Sequence, residues 1–212
     1  MAKKRAYHHG NLRQALVREA ARTIKSHGVD ALTLRAVGGR LGVSRTALYR
    51  HFTDKAALLA AVAREGFQRF RADLERVWAD AGGGLVGFDA MGLAYLKFAL
   101  DNSAHYRVMF GGFKELCDRD SELAADAASA FQVLVDALAA LQRGGQVQPG
   151  DTGELARFVW ATSHGIAMLT IDGQLGPDSA AGEALMQSSL ARLRAALANS
   201  VNLSNPVNLS NP

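Results

Sequence analysis

The chain has 212 residues, 49% of them hydrophobic, which is enough for one fair-sized core or two unequal ones. Its one cysteine, Cys117, excludes an intramolecular disulfide, and no signal-type apolar region opens the chain. The Arg, Asp, Gly and Gln residues that interrupt its apolar stretches predict no membrane span, so the cytoplasm is the simplest compartment. The net charge of +4 is unevenly spread: residues 1–55 carry twelve Lys or Arg against Glu19, Asp30 and Asp54, a net of +9, whereas the remaining 157 carry twelve against seventeen, a net of −5. A polyanionic partner for the first quarter fits this split, and a solvated basic face is the plainer alternative.

In chain order, Leu12, Leu16, Ala20 and Ile24 recur every four residues, so 11–26 is expected to be a helix with one buried face, ended by His27-Gly28. Ahead of it, Lys3, Lys4 and Arg5 form a basic arm that either grazes a minor groove or solubilises the end. The pair His8-His9 lacks a carboxylate or cysteine to complete a metal site, and no metal is expected. Thr33 can cap a short second helix from Leu34 to Leu41, closed by Gly42; Ser44 can cap a third from Arg45 to about His51; Thr53 or Asp54 opens a fourth from Lys55 toward Trp78.

At 100° per residue, Ala47, Leu48 and His51 share the inner side of the third helix, while Arg45, Thr46, Tyr49 and Arg50 share the outer side. Two guanidinium groups, a hydroxyl and a phenol suit phosphates and base edges. In the second helix Val37 and Leu41 face the core, Gly38 permits close approach, and Gly42 makes the turn. This is the spacing of a helix-turn-helix, whose second helix enters the DNA major groove.

The segment TLRAVGGRLGVSRTALYRHFTDKAALL resembles the DNA-binding segment of the TetR family of bacterial repressors, over about Leu12 to Leu59, with Tyr-x-His-Phe followed by Lys as its most restrictive element. The resemblance implies that Thr33 and Lys55 meet backbone phosphates. It implies that Ser44, Arg45, Thr46 and Tyr49 lie at or in the groove and that His51 sits beside the backbone. Gly38-Gly39 departs from the pattern, because a glycine in a helix interior costs about 1 kcal/mol relative to alanine.

Past Gly82-Gly83-Gly84 the period stays helical, with helices expected over 88–101, 104–110, about 120–143, 153 to about 174 and 178–198, joined by GGFKE, RGGQVQPGD and GQLGPD. The fold class is therefore all-α, with about nine helices. Residues 1–55 form a helix-turn-helix domain and 56–198 a helical regulatory domain. The repeated hexamer VNLSNP makes 199–212 a disordered tail, its Asn-Pro pairs opposing helix.

The resemblance implies that the larger domain binds a small effector and dimerises. Along the helix from Gly153, Leu155, Val159, Ile166 and Leu169 cluster on one side and Trp160, His164, Met168 and Ile171 on the other. We expect the first set to meet a partner subunit, together with Met186, Leu190, Leu193 and Leu197 of the last helix, in a four-helix interface. The alternative is a last helix that covers its own core. Trp160-x-x-x-His164-Gly165 resembles a motif in a subset of TetR regulatory domains. His164 then offers a polar contact in an apolar pocket with Tyr95, Phe98, Met109, Phe110, Phe113, Phe131, Trp160 and Met168, or else is a core histidine bonded to a backbone carbonyl.

The expected function is a ligand-responsive regulator, a repressor released from a palindromic operator by a small apolar or aromatic effector, with the fourth helix as the lever. Its expected partners are double-stranded operator DNA, a second copy of the chain and the effector. No cofactor and no membrane are expected. An enzyme with a basic appendage finds no nucleophile elbow, phosphate loop or carboxylate pair to support it, and a protein-binding scaffold would need no DNA. Oxidant sensing by Cys117 would require a stabilised thiolate, against Glu115 and Asp118 nearby.

Overall fold

The computed structural model describes residues 9–176 and 178–198. The basic arm at residues 3–5, the His8-His9 side chains and the tail at 199–212 lie outside the described residues. Among those described there are ten helices and no strand: α1 (His9–His27), α2 (Leu34–Arg40), α3 (Arg45–Tyr49), α4 (Lys55–Asp80), α5 (Gly84–Asp101), α6 (Ser103–Phe110), α7 (Phe113–Arg119), α8 (Ser121–Arg143), α9 (Thr152–Ile171) and α10 (Ala180–Ala198).

The tenth helix is α7, a segment whose sequence reads as a connection. The Gly111-Gly112 pair suggests a loop, but only Gly112 is left-handed, at φ 67°, and it serves as the N-cap of a single short helix. Likewise α5 begins four residues earlier than expected, directly after the left-handed turn at Gly82 and Gly83. One apolar stretch is less interrupted than the sequence reading has it: α8 is long and apolar enough to cross a membrane by length and composition alone. Its alanines raise the hydropathy, and only one stripe of it, Leu123, Ala130, Ala137, Leu138 and Leu141, is buried within the protein, the pattern of an amphipathic helix with one buried face.

The chain forms two compact units. The first comprises residues up to Asp73 with Phe98–Gln132, and the second Leu74–Lys97 with the residues from Val133 onward. In the first unit, Leu12, Leu16, Ala20 and Ile24 of α1 are all buried, as their spacing demands, and α1 packs on both α2 and α6. Arg40 of α2 donates to Thr23 Oγ1 at 2.8 Å and reaches Glu19 Oε1 at 3.5 Å, tying α2 to a carboxylate only 9% exposed. Arg13 lies over the Phe52 ring at 5.3 Å, a cation–π contact worth about 0.5–1 kcal/mol. Farther along, Phe67 stands edge-on to Phe110 and Phe113, Phe70 packs on Phe98, and Tyr106 on Phe110.

In the second unit α9 packs on α10. A Cβ at Gly182 of α10 would lie 2.6 Å from Cγ2 and 3.0 Å from Cβ of Thr170 on α9, so the helices touch backbone to side chain there. Gly92 of α5 is covered by Leu190 in the same manner. Arg194 and Asp89 close the unit with an ion pair at 2.7 Å.

Gly39 behaves differently from these packed glycines. It lies inside α2 with nothing within 4 Å of the position its Cβ would take, and it is not among the glycines of positive φ. Gly39→Ala is therefore expected to stabilise the protein by roughly 0.4–1 kcal/mol, read as a higher denaturation midpoint at unchanged slope. A lower midpoint would contradict the helical assignment at residue 39.

Candidate nucleic-acid interface

The turn between α2 and α3 is built by a specific backbone pattern. The N–H of Gly42 donates to the carbonyl of Gly39 and that of Val43 to the carbonyl of Gly38, a Schellman arrangement in which Gly42 takes φ 65°. A side chain at Gly42 would be strained there, and one at Gly38 would approach Leu48 Cδ2 to 3.2 Å. Gly38 thus lets α3 settle onto α2, as its spacing predicts.

Both short helices are capped by the residues expected. Thr33 Oγ1 accepts from the N–H of Ala36 at 3.1 Å, and Ser44 Oγ accepts from that of Ala47 at 3.2 Å. Each such cap is worth about 1 kcal/mol, a large share for helices of seven and five residues. The next helix, α4, is capped by Asp54, whose Oδ1 accepts from Ala57 N–H at 2.8 Å. That bond holds the carboxyl below its usual range, with the Arg119 guanidinium at 2.6 Å acting the same way and burial opposing.

Burial separates the two sides of α3. Leu48 is 3% exposed and Phe52 just beyond is 2%, while Ala47 and His51 are half-buried. Arg45, Thr46, Tyr49 and Arg50 are exposed together with Ser44 and Thr33, and Lys55 is partly exposed at the first position of α4. The Arg45 guanidinium lies 5.5 Å from the centre of the Tyr49 ring, so the two side chains form one surface. All eight sequence-predicted DNA-contacting positions therefore fall within the α2, α3 and α4-start region, and none is in the core. Glu19 and Arg40, which steady α2 on α1, escape the sequence reading; an acid on the buried stripe of a basic helix is the signal that marks them.

The residues expected to line a pocket are divided between the units. Phe98, Met109, Phe110, Phe113 and Phe131 belong to the first, where Phe110 and Phe113 pack on Phe67 and Phe98 on Phe70; Met109 is fully buried beside Gly66, Phe131 is partly exposed, and Phe113 is 37% exposed. Tyr95, Trp160, His164 and Met168 belong to the second. There the Tyr95 hydroxyl lies 3.5 Å from His164 Nδ1, and the Trp160 and His164 rings are 5.9 Å apart. His164 thus has a phenol beside it, and burial pushes its imidazole below the usual range.

The assignment of faces on the last two helices does not match the structure. Val159 and Ile166, assigned to the partner face, are 4% and 5% exposed within their own chain, with Ala156, Ser163 and Thr170 beside them, and Leu155 is partly buried; of that set Leu169 alone is exposed, at 37%, while Trp160, assigned to the interior, is 37% exposed as well. On α10, Met186, Leu190 and Leu193 are 1%, 3% and 6% exposed and Leu197 is partly buried. The physical reason is Gly182 and Gly92. They bring the α9–α10 pair and α5 so close that the 186-190-193 seam fills the protomer's own core. Burial, with Asp118 and Asp120, pushes the Cys117 thiol up, which works against the stabilised thiolate that oxidant sensing needs.

A glycine-hinged pair of capped short helices, the second presenting a basic polar face, defines a helix-turn-helix DNA-binding protein within an all-helical chain. Two family descriptions match: "Bacterial regulatory proteins, tetR family" over residues 16–62 and "Tetracyclin repressor-like, C-terminal domain" over 88–193. The chain belongs to the TetR family of transcriptional regulators, whose members are not enzymes. It is 45% identical over 51 residues to the tetracycline repressor protein class C of Escherichia coli, a match covering 24% of this chain and 23% of that one. The chain thus spans about a quarter of that curated relative's length.

Among solved structures, a protein of unknown function from Rhodococcus sp. RHA1 superposes with a TM-score of 0.82 at 33% identity, over 92% of this chain and all of that one. A bacterial regulatory protein of the tetR family from Rhodococcus RHA1 superposes at 0.71 with 19% identity, over 87% and 96% of the two chains, and shares the fold.

Proposed function

We propose that the chain is a ligand-responsive repressor that binds a palindromic operator as a homodimer and releases it when a small apolar or aromatic effector binds. Residues 1–55 read the DNA and 56–198 form the regulatory part. The carrying observation is the exposed Arg45, Thr46, Tyr49 and Arg50 surface on a helix whose opposite residue, Leu48, is buried. Arg45, Thr46 and Tyr49 address base edges, Thr33, Arg50 and Lys55 the phosphates, and Ser44 and His51 border the groove. The repressing direction is supported by the tetracycline repressor, matched over 51 residues. A chromosomal operator makes the cytoplasm the place of action.

The dimer face we assign to the apolar side chains that α9 leaves exposed. Phe158 is 58% exposed and Leu169 37%, and Ala161 and Gly165 lie between them at helical spacing, with nothing in the chain within 4 Å of a Cβ at Gly165. On α10 the exposed Ala184, Gln187, Ala191 and Ala195 repeat the same interval. Stripes of small residues flanked by large apolar ones suit a four-helix contact across a two-fold axis. For the effector, Tyr95, Trp160, His164 and Met168 supply aromatic surface and one polar contact.

Phosphate and base contacts separate in a salt titration. Lys55→Ala is expected to weaken operator and unrelated DNA about equally and to reduce the slope of log K against log salt by about 1, measured by fluorescence anisotropy. A loss confined to the operator sequence would contradict the phosphate role.

A further inference from the structure

A carboxylate stands at the start of α4, where the operator reading places the DNA backbone. Asp54 immediately precedes Lys55, and its side chain is 42% exposed. One of its oxygens, Oδ1, caps the N–H of Ala57; the other, Oδ2, accepts from the guanidinium of Arg119 at 2.6 Å. Arg119 is the last residue of α7, 65 positions farther along the chain. An uncompensated anion beside Lys55 would oppose a phosphate, since affinity for DNA follows the positive charge brought to its backbone.

Arg119 reaches Asp54 from a corner that is itself well held. Asp120, the next residue, caps α8 by accepting from the N–H groups of Glu122 at 3.0 Å and Leu123 at 3.1 Å. Leu116 and Leu123, on either side of the corner, are buried. From α8, Asp126 accepts from Arg64 Nε and from Gln68 Nε2 of α4, each at 3.0 Å, and Glu122 also pairs with Arg64. The α7–α8 corner thus holds α4 at its N-cap and again about three turns on. The fold gains little from the Arg119 pair, because its side chain is 59% exposed and the cap uses the other carboxylate oxygen. What Arg119 changes is the charge at the start of α4.

We propose that Arg119 is a positioning residue for DNA binding: by pairing with Asp54 it cancels the negative charge beside Lys55, so that a side chain of the α7–α8 corner sets the affinity for the DNA backbone. The inference rests on the operator reading, in which Lys55 meets a phosphate. With Arg119 in place, Lys55 and the positive end of the α4 dipole face that phosphate together. With Arg119 withdrawn, Asp54 is a bare anion one residue away, which repels the phosphate and competes for the Lys55 ammonium. The corner therefore has a means of lowering DNA affinity that requires no movement of α3.

The test uses the full chain and a fluorescein-labelled duplex of mixed sequence at low salt, because a backbone effect is independent of base sequence. Arg119→Gln is expected to bind about three- to tenfold more weakly, with a deficit that shrinks as salt rises. Arg119→Lys, which keeps the charge, should bind like the parent. Asp54→Asn removes the charge and keeps a cap of equal quality, so adding it to Arg119→Gln should restore the parent's affinity. Asp118→Asn, which restores the same net charge from the neighbouring position, should not. Parent-like binding by Arg119→Gln, a double variant with Asp54→Asn that stays weak, or recovery as complete with Asp118→Asn would each overturn the proposal. Lys55→Ala, measured alongside, separates the two levels. If it binds like the parent, the phosphate contact at α4 fails and the proposal with it; if it alone is weak and Arg119→Gln is not, the operator reading stands and only the role of Arg119 is removed.

Discussion

A folded Arg45→Ala/Tyr49→Ala variant is expected to lose at least about 30-fold in operator affinity while keeping most of its affinity for unrelated DNA. Each good base contact contributes roughly 1–3 kcal/mol of discrimination, and tenfold corresponds to about 1.4 kcal/mol, so truncating both side chains falls in or above this range. The stability cost is small because both side chains are exposed, Tyr49 by 46%, and the interaction between them is a surface cation–π pair. Leu48→Ala, one residue away, is the instructive contrast. That side chain is 3% exposed against Gly38, so its truncation should cost about 2–5 kcal/mol and weaken all DNA binding through loss of the fold. Thermal melts run beside the binding curves separate the two cases. Unchanged operator affinity in the folded double variant would remove α3 from the recognition role.

The second large effect is expected from Phe158→Glu with Leu169→Glu, which should convert a dimer into a folded monomer in sedimentation. Neither side chain is in the protomer's core, so the helical circular dichroism should persist, whereas four carboxylates brought together across a two-fold axis repel one another and lose hydration. Operator binding should fall with dimerisation, because one subunit reads one half-site and the two sites are bound at high affinity only when the subunits are linked. Leu190→Glu is expected to do something else. Leu190 covers Gly92 inside the unit, so a carboxylate there should unfold the protein rather than split a dimer. A double variant that still sediments as a dimer would place the interface away from α9.

The DNA-reading segment is legible in the sequence because every feature of it is local. Thr33 and Ser44 cap, Gly42 turns and Leu48 anchors, each through neighbours close in the chain, so helical spacing and turn chemistry are sufficient. The faces of α9 are not, because two apolar stripes share one helix and periodicity does not say which stripe is used within the chain. What decides it is a long-range contact, Gly182 against Thr170, which also turns Ser163 and Thr170 into core residues; Thr170 satisfies its hydroxyl by donating to the Ile166 carbonyl at 2.7 Å. The α7 helix is hidden for a local reason, since a Gly-Gly pair reads as a loop although only its second member is left-handed.

Reading of a palindromic operator through α3 is the central claim. Genomic fragments retained by the purified protein at moderate salt, sequenced beside those retained by Arg45→Ala/Tyr49→Ala, test it most directly. The expected result is a shared inverted repeat, with half-site centres about 34–36 Å apart or a multiple of that, enriched by the parent and absent from the variant's fragments. Retention of fragments with no common sequence, or the same repeat enriched by both proteins, would contradict it.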